Sequence, residues 1–121
     1  MSADWREAAA PDGRLLRIRV LTGPFERMRG LLGRDGLPEG EVYLFPRCAS
    51  VHTFGMRFAI DIAFLDRAGR VTRLRENVPP WRIVLGGRGA AATVEAEAGW
   101  LGRVLPVGKS FPLPVSPHDF G

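Results

Sequence analysis

Residues 50–66 read SVHTFGMRFAIDIAFLD, and the pattern of this stretch decides the fold class. Phe58, Ile60, Ile62 and Phe64 alternate with Arg57, Ala59, Asp61, Ala63 and Leu65. A period of two over this length predicts a half-buried strand. Asp61 is its odd member, because a carboxylate among small and apolar neighbours must find partners or take up a proton. Immediately upstream stand the lone cysteine, Cys48, and one of the two histidines, His52.

Working outward, the same alternation recurs in short pieces. Leu16, Ile18 and Val20 share a face opposite Arg17 and Arg19 within a strand over 14–22. Val42 to Phe45 is a short apolar strand stopped by Pro46, and residues 50–54 form another, with Gly55 as a kink. Asp66-Arg67-Ala68-Gly69 is a hairpin connection returning through 70–76, with Thr72 and Leu74 toward the core. A turn over 77–81 leaves Trp81 exposed, and strands follow at 83–85, 93–98 and 110–115, with turns at 99–100 and 106–108. Thr22-Gly23-Pro24 opens a short helix over 24–33, where Phe25, Met28, Leu31 and Leu32 recur at helical spacing. Residues 1–13 read as a flexible arm that Trp5 can pin, 14–115 as one β domain, and 116–121 as a frayed tail. The fold expected is mostly β: a small barrel or sandwich of about six to nine short strands with one short helix.

The totals agree. A chain of 121 residues supports one modest core. Fifteen glycines and ten prolines, scattered along it, suit strands and turns better than long helices. One cysteine excludes an internal disulfide. No segment is apolar enough for a signal peptide or membrane span, which points by default to the cytoplasm. The formal charge is +4 and all but one of the seventeen basic residues are arginine. They are spread evenly without a basic cluster, so nucleic acid is an unfavoured partner.

Several blocks then fall into a recognisable order. Arg27, Gly30, Leu31, Leu32 and Arg34 form the first, and Gly40 to Phe45 the second. His52, Thr53, Phe54, Met56 and Arg57 lead into Ile60, Asp61, Phe64 and Asp66. Val94, Glu95 and Gly99 come later, and Val107-Gly108 closes the series. This arrangement, covering 22–111, resembles the uncharacterised prokaryotic family catalogued as domain of unknown function 192. Leu32 replaces the methionine of the first block, and two departures matter more: Ala59 stands where proline is usual, and Lys109 where the closing turn has an acid. The resemblance implies a compact, mostly β domain, and brings no established activity, substrate or cofactor. Other members of that family often carry secretion leaders.

The chemistry legible in the residues is binding rather than catalysis. Cys48, His52 and Met56 have the soft-ligand spacing of a copper loop but lack a second upstream histidine, so neither a metal nor a cofactor is expected. Cys48 and His52 as nucleophile and base lack a legible third member and oxyanion hole. The coherent set is Arg27, Arg34, His52, Thr53, Arg57, Asp61 and Glu95, polar residues from separate blocks. They can converge on a pocket for a small polar or anionic ligand, with arginine supplying a bidentate fork and His52, Phe54 and Trp81 forming the rim. Equally, Asp61 and Glu95 can belong to a buried network that fixes the fold, and for Asp61 that reading is ahead. The function expected is therefore a non-enzymatic domain that binds a small ligand or a partner segment. The alternatives are a hydrolase or lyase with acid–base chemistry at Asp61 or His52, and weak arginine-mediated binding of nucleic acid.

Overall fold

The computed structural model describes residues 5–22 and 31–113. Among them run eight strands and one short helix. The strands are β1 (Trp5–Ala9), β2 (Leu15–Val20), β3 (Glu41–Pro46), β4 (Ser50–His52), β5 (Ile60–Leu65), β6 (Val71–Val78), β7 (Ile83–Leu85) and β8 (Ala92–Glu97). The helix, α1, is Leu101–Val104. Six strands form one sheet in the order β1-β2-β3-β8-β5-β6, and β4 and β7 form a separate antiparallel pair. Most neighbours are antiparallel; β2 and β3 run parallel. No described helix is long and apolar enough to cross a membrane.

The expectation of a mostly β chain holds, but the barrel does not. Among the described residues both sheets are open: β1 pairs with no strand but β2, and β6 with no strand but β5. Closure needs the two edge strands to meet at a consistent tilt and stagger. Here β4 and β7 leave the main sheet as their own pair instead.

The strand over 60–65 is also not half-buried. All six residues of β5 are buried, as are nearly all of β3 and β8. Two hydrophobic clusters explain this, one on each face of the main sheet. Leu16, Ile18, Val42, Leu44, Ala63, Leu65, Val94 and Ala96 meet Trp100, Leu101, Val104, Leu105 and Phe111 on one face. Tyr43, Phe45, Ile60, Ile62 and Phe64 meet Leu31, Leu37, Cys48 and Met56 on the other, with Val51 and Val84 of the β4–β7 pair packed against them. Small side chains at Ala63 and Ala96 leave room for α1 to lie close, so the alternating pattern is correct while both of its faces are covered.

Further corrections have local causes. Trp5–Ala9, expected within a loose arm, pairs along its whole length with β2 as β1. Val71 joins the core alongside Leu74, because a bulge shifts the register between Phe64/Arg73 and Leu65/Val71. Leu101–Val104 is helical where only flanking turns were expected. Ser110 makes an isolated bridge to Arg70 rather than opening a strand. The helix expected over 24–33 falls largely on 23–30, outside the described residues, as does the tail after 113; residues 31–33 form a turn. The hairpin at 66–69 forms as expected. Asp66 Oδ1 accepts the Ala68 and Arg70 amides at 2.9 and 3.0 Å, and Gly69 takes a φ of 83° that favours glycine.

Candidate functional site

The sequence-predicted site residues separate onto different parts of the molecule. Asp61 faces the α1 side of the sheet, opposite Ala96 of β8, and only 1% of it is exposed. Its Oδ1 accepts the Asn77 amide at 2.8 Å, and its Oδ2 accepts the Gly99 and Leu101 amides at 3.1 and 3.3 Å. Three amides, from the end of β6, the turn at Gly99 and the start of α1, engage both oxygens, and the last belongs to the first residue of α1, whose N-cap, Trp100, offers no side-chain bond. The arrangement makes Asp61 an architectural anchor: three backbone amides engage both oxygens of a side chain that is almost wholly buried.

Thr53 is likewise structural. Its hydroxyl donates to the Pro79 carbonyl at 2.8 Å and accepts the Arg82 amide at 2.9 Å, while its carbonyl accepts the Trp81 amide at 3.0 Å. These bonds hold Trp81 at a φ of 69°, an uncommon value for a bulky residue. His52 is exposed, and its Nδ1 accepts the Phe54 amide at 3.3 Å. The rings of His52 and Phe54 lie 5.0 Å apart, and those of Phe54 and Trp81 stack at 5.7 Å. Arg57 forms an exposed ion pair with Asp35 at 3.2 Å. Arg27 lies outside the described residues. Cys48 is buried with Sγ 3.1 Å from the Ser50 carbonyl, Met56 packs in the core, and no group of three or more His, Cys, Asp or Glu gathers at metal-binding range among the described residues.

Glu95 and Arg34 belong to a different constellation, centred on Tyr43. Strand pairing places Trp5, Arg19, Tyr43, Glu95, Ile62 and Arg75 in one row across the sheet, on the face away from α1. The Tyr43 ring is fully buried. The guanidinium carbons of Arg19 and Arg34 each lie 5.7 Å from its centroid. Trp5 meets the same ring edge-on at 6.4 Å and carries Arg17 over its own face at 4.6 Å. Among the described residues the Tyr43 hydroxyl and Arg19 Nε are buried without a hydrogen-bond partner. Glu95, directly opposite Tyr43, is 5% exposed, and burial pushes its carboxyl up to about 8. At neutral pH it is mostly a neutral acid, able to donate as well as accept.

Arg19 and Tyr43 were missed because they lie in separate strands, each ordinary by itself. The available signal was the lone tyrosine of the chain, embedded in the apolar run Val42-Tyr43-Leu44-Phe45, where a phenol must find a partner.

The chain has relatives among known proteins. The profile of the family described as "Uncharacterized ACR", domain of unknown function 192, matches residues 7–109. A UPF0127 protein from Thermococcus sibiricus is 31% identical over 87 residues, which cover 69% of this chain and 56% of that protein. The chain thus spans little more than half the length of this relative. A crystal structure from Sinorhizobium meliloti, described as a candidate transcription regulator, superposes with a TM-score of 0.77 at 21% identity, covering 91% of this chain and 94% of its own. Another, of a protein of unknown function from Novosphingobium aromaticivorans, gives 0.74 at 20% identity, covering 86% and 80%. These two likenesses are likenesses of fold.

Proposed function

The chain belongs to the uncharacterised family of domain of unknown function 192, and for this member we propose a non-enzymatic role: binding a small anionic ligand on the sheet face around Arg19, Arg34, Tyr43 and Glu95. The observation that carries the reading is the Tyr43 hydroxyl, buried without a partner while two guanidiniums flank its ring. Leaving a buried donor unsatisfied costs about 1–3 kcal/mol, and folded proteins seldom do so without a use for it. A carboxylate or phosphate satisfies such a group and an arginine fork together. The neutral form of Glu95 adds a further donor and no opposing charge.

The acid–base alternative at Asp61 and His52 has less support. Asp61 holds three amides on the α1 side of the sheet, whereas His52 stands on the separate β4–β7 pair.

The test is calorimetric titration at low salt with inorganic phosphate, acetate, succinate and citrate. At least one is expected to bind, and Tyr43→Phe and Arg34→Ala are expected to weaken it about tenfold or more. Affinity should decline as pH rises through about 8, because the Glu95 carboxylate then opposes the anion. No binding by any of the four anions, or binding indifferent to both substitutions, removes the proposal.

A further inference from the structure

A second feature stands apart from the Tyr43 face and does not depend on it. Strand β6 is an edge of the main sheet, bonded to β5 on one side. Its first residue is closed off on the outer side: the Val71 amide donates to Lys109 at 2.9 Å, and its carbonyl accepts Gly108 at 2.8 Å. Beyond it, among the described residues, no backbone bond leaves the outer edge of residues 72–78. Among the described residues, strand β7 pairs with no strand but β4. Between these two strands runs an open groove of about 680 Å³ lined by residues 73–79 and 82–85.

The side chains of this groove have a definite character. Arg73 and Arg75 lie opposite Phe64 and Ile62, so they project on the side where the β4–β7 pair sits. Arg73 Nη1 already reaches the Leu85 carbonyl at 3.4 Å. Arg82 comes from the β7 side, together with Ile83 and Leu85, which are 66% and 62% exposed. The nearby acid, Glu76, turns the other way: a Cβ on Gly102 of α1 would sit 2.5 Å from its Oε2. The groove is therefore cationic, with an apolar wall.

We propose that the β6 edge docks an extended segment of a partner protein by strand addition, and that this segment carries acidic side chains at alternate positions. An added strand satisfies the free backbone groups of β6. Its side chains alternate between faces, so every second one meets Arg73, Arg75 and Arg82. A second copy of this chain is a poor occupant, because pairing two β6 edges sets arginine against arginine.

The test uses three fluorescein-labelled synthetic heptapeptides, followed by fluorescence anisotropy at low salt. One alternates Glu with Thr, one alternates Lys with Thr, and the third is the Glu peptide N-methylated at every second amide. The Glu peptide is expected to bind and to slow amide exchange at residues 72–78. The Lys and N-methylated peptides should bind about tenfold or more weakly, since each lacks one of the two interactions. The double variant Arg73→Glu, Arg75→Glu, checked for an unchanged circular dichroism spectrum, should prefer the Lys peptide. Indifference to peptide charge, indifference to N-methylation, or no anisotropy change up to saturation with the Glu peptide overturns the proposal. So does a dimer of the protein alone that the double variant dissolves.

Discussion

Two buried carboxylates illustrate how one sheet gives the same chemical group opposite roles. Asp61 accepts three amides, so its side chain is held by the backbone it organises. Asp61→Asn replaces one acceptor oxygen by a donor facing other donors. The expected loss is about 2–4 kcal/mol in urea denaturation, the cost of broken hydrogen bonds and of stranded buried amides. Glu95 has its carboxyl pushed up to about 8 by burial. Folded Glu95 therefore holds its proton where the unfolded chain, with an ordinary value of 4.5, has released it. The favourable contribution is complete below about pH 4.5 and is lost as pH rises through about 8. Glu95→Gln cannot ionise, so it should flatten this part of the stability–pH curve. Measured by denaturant midpoints, the variant should gain on the wild type by an amount of the order of a few kcal/mol between pH 5 and about 9.

At the scale of elements, the β4–β7 pair depends on one tight junction. The Gly86 amide donates to the Ala49 carbonyl at 2.8 Å. A Cβ at Gly86 would lie 2.6 Å from the Ala90 Cβ and 2.7 Å from both the Ala49 carbonyl oxygen and Phe64 Cδ1. None of these is the loose end of a long side chain, so Gly86→Ala must displace backbone. It should cost about 1–3 kcal/mol, read as a lower denaturation midpoint. Helix α1 shows a different dependence. Four residues cannot sustain a helix by propensity, and α1 exists because Leu101 and Val104 pack on the sheet and Asp61 holds its first amide. Asp61→Asn should accordingly speed amide exchange across residues 99–105 beyond the effect of global destabilisation.

Across the whole molecule, the same strands build both hydrophobic clusters: Val42 and Leu44 of β3 serve one, Tyr43 and Phe45 the other. Neither face can lose its cover without exposing the sheet that supports the other. Thermal or urea unfolding should therefore be one transition, with tryptophan fluorescence and far-ultraviolet circular dichroism coinciding. Trp100 and Trp5 report on opposite faces, so separated transitions would mean that the faces melt independently.

The positions of most strands and the turn of one hairpin are legible in the residues alone. Alternation in Leu16–Val20 and Ile60–Leu65 and the Asp66–Gly69 turn arise from a residue's immediate neighbours, where side-chain direction and φ preference act. Asp61 is legible there too, as a group needing partners. Tertiary structure alone decided which partners those are, because Asn77, Gly99 and Leu101 reach Asp61 from 16 to 40 residues away. It decided that β5 is covered on both faces, which periodicity cannot reveal when the second face mixes an acid and an alanine, Asp61 and Ala63, with Leu65. It also separated the polar residues of the sequence motifs and gathered Arg19, Tyr43 and Glu95 into one row. Strand order and register bring these three together, and both are fixed by hydrogen bonding and burial between distant segments rather than by any local pattern.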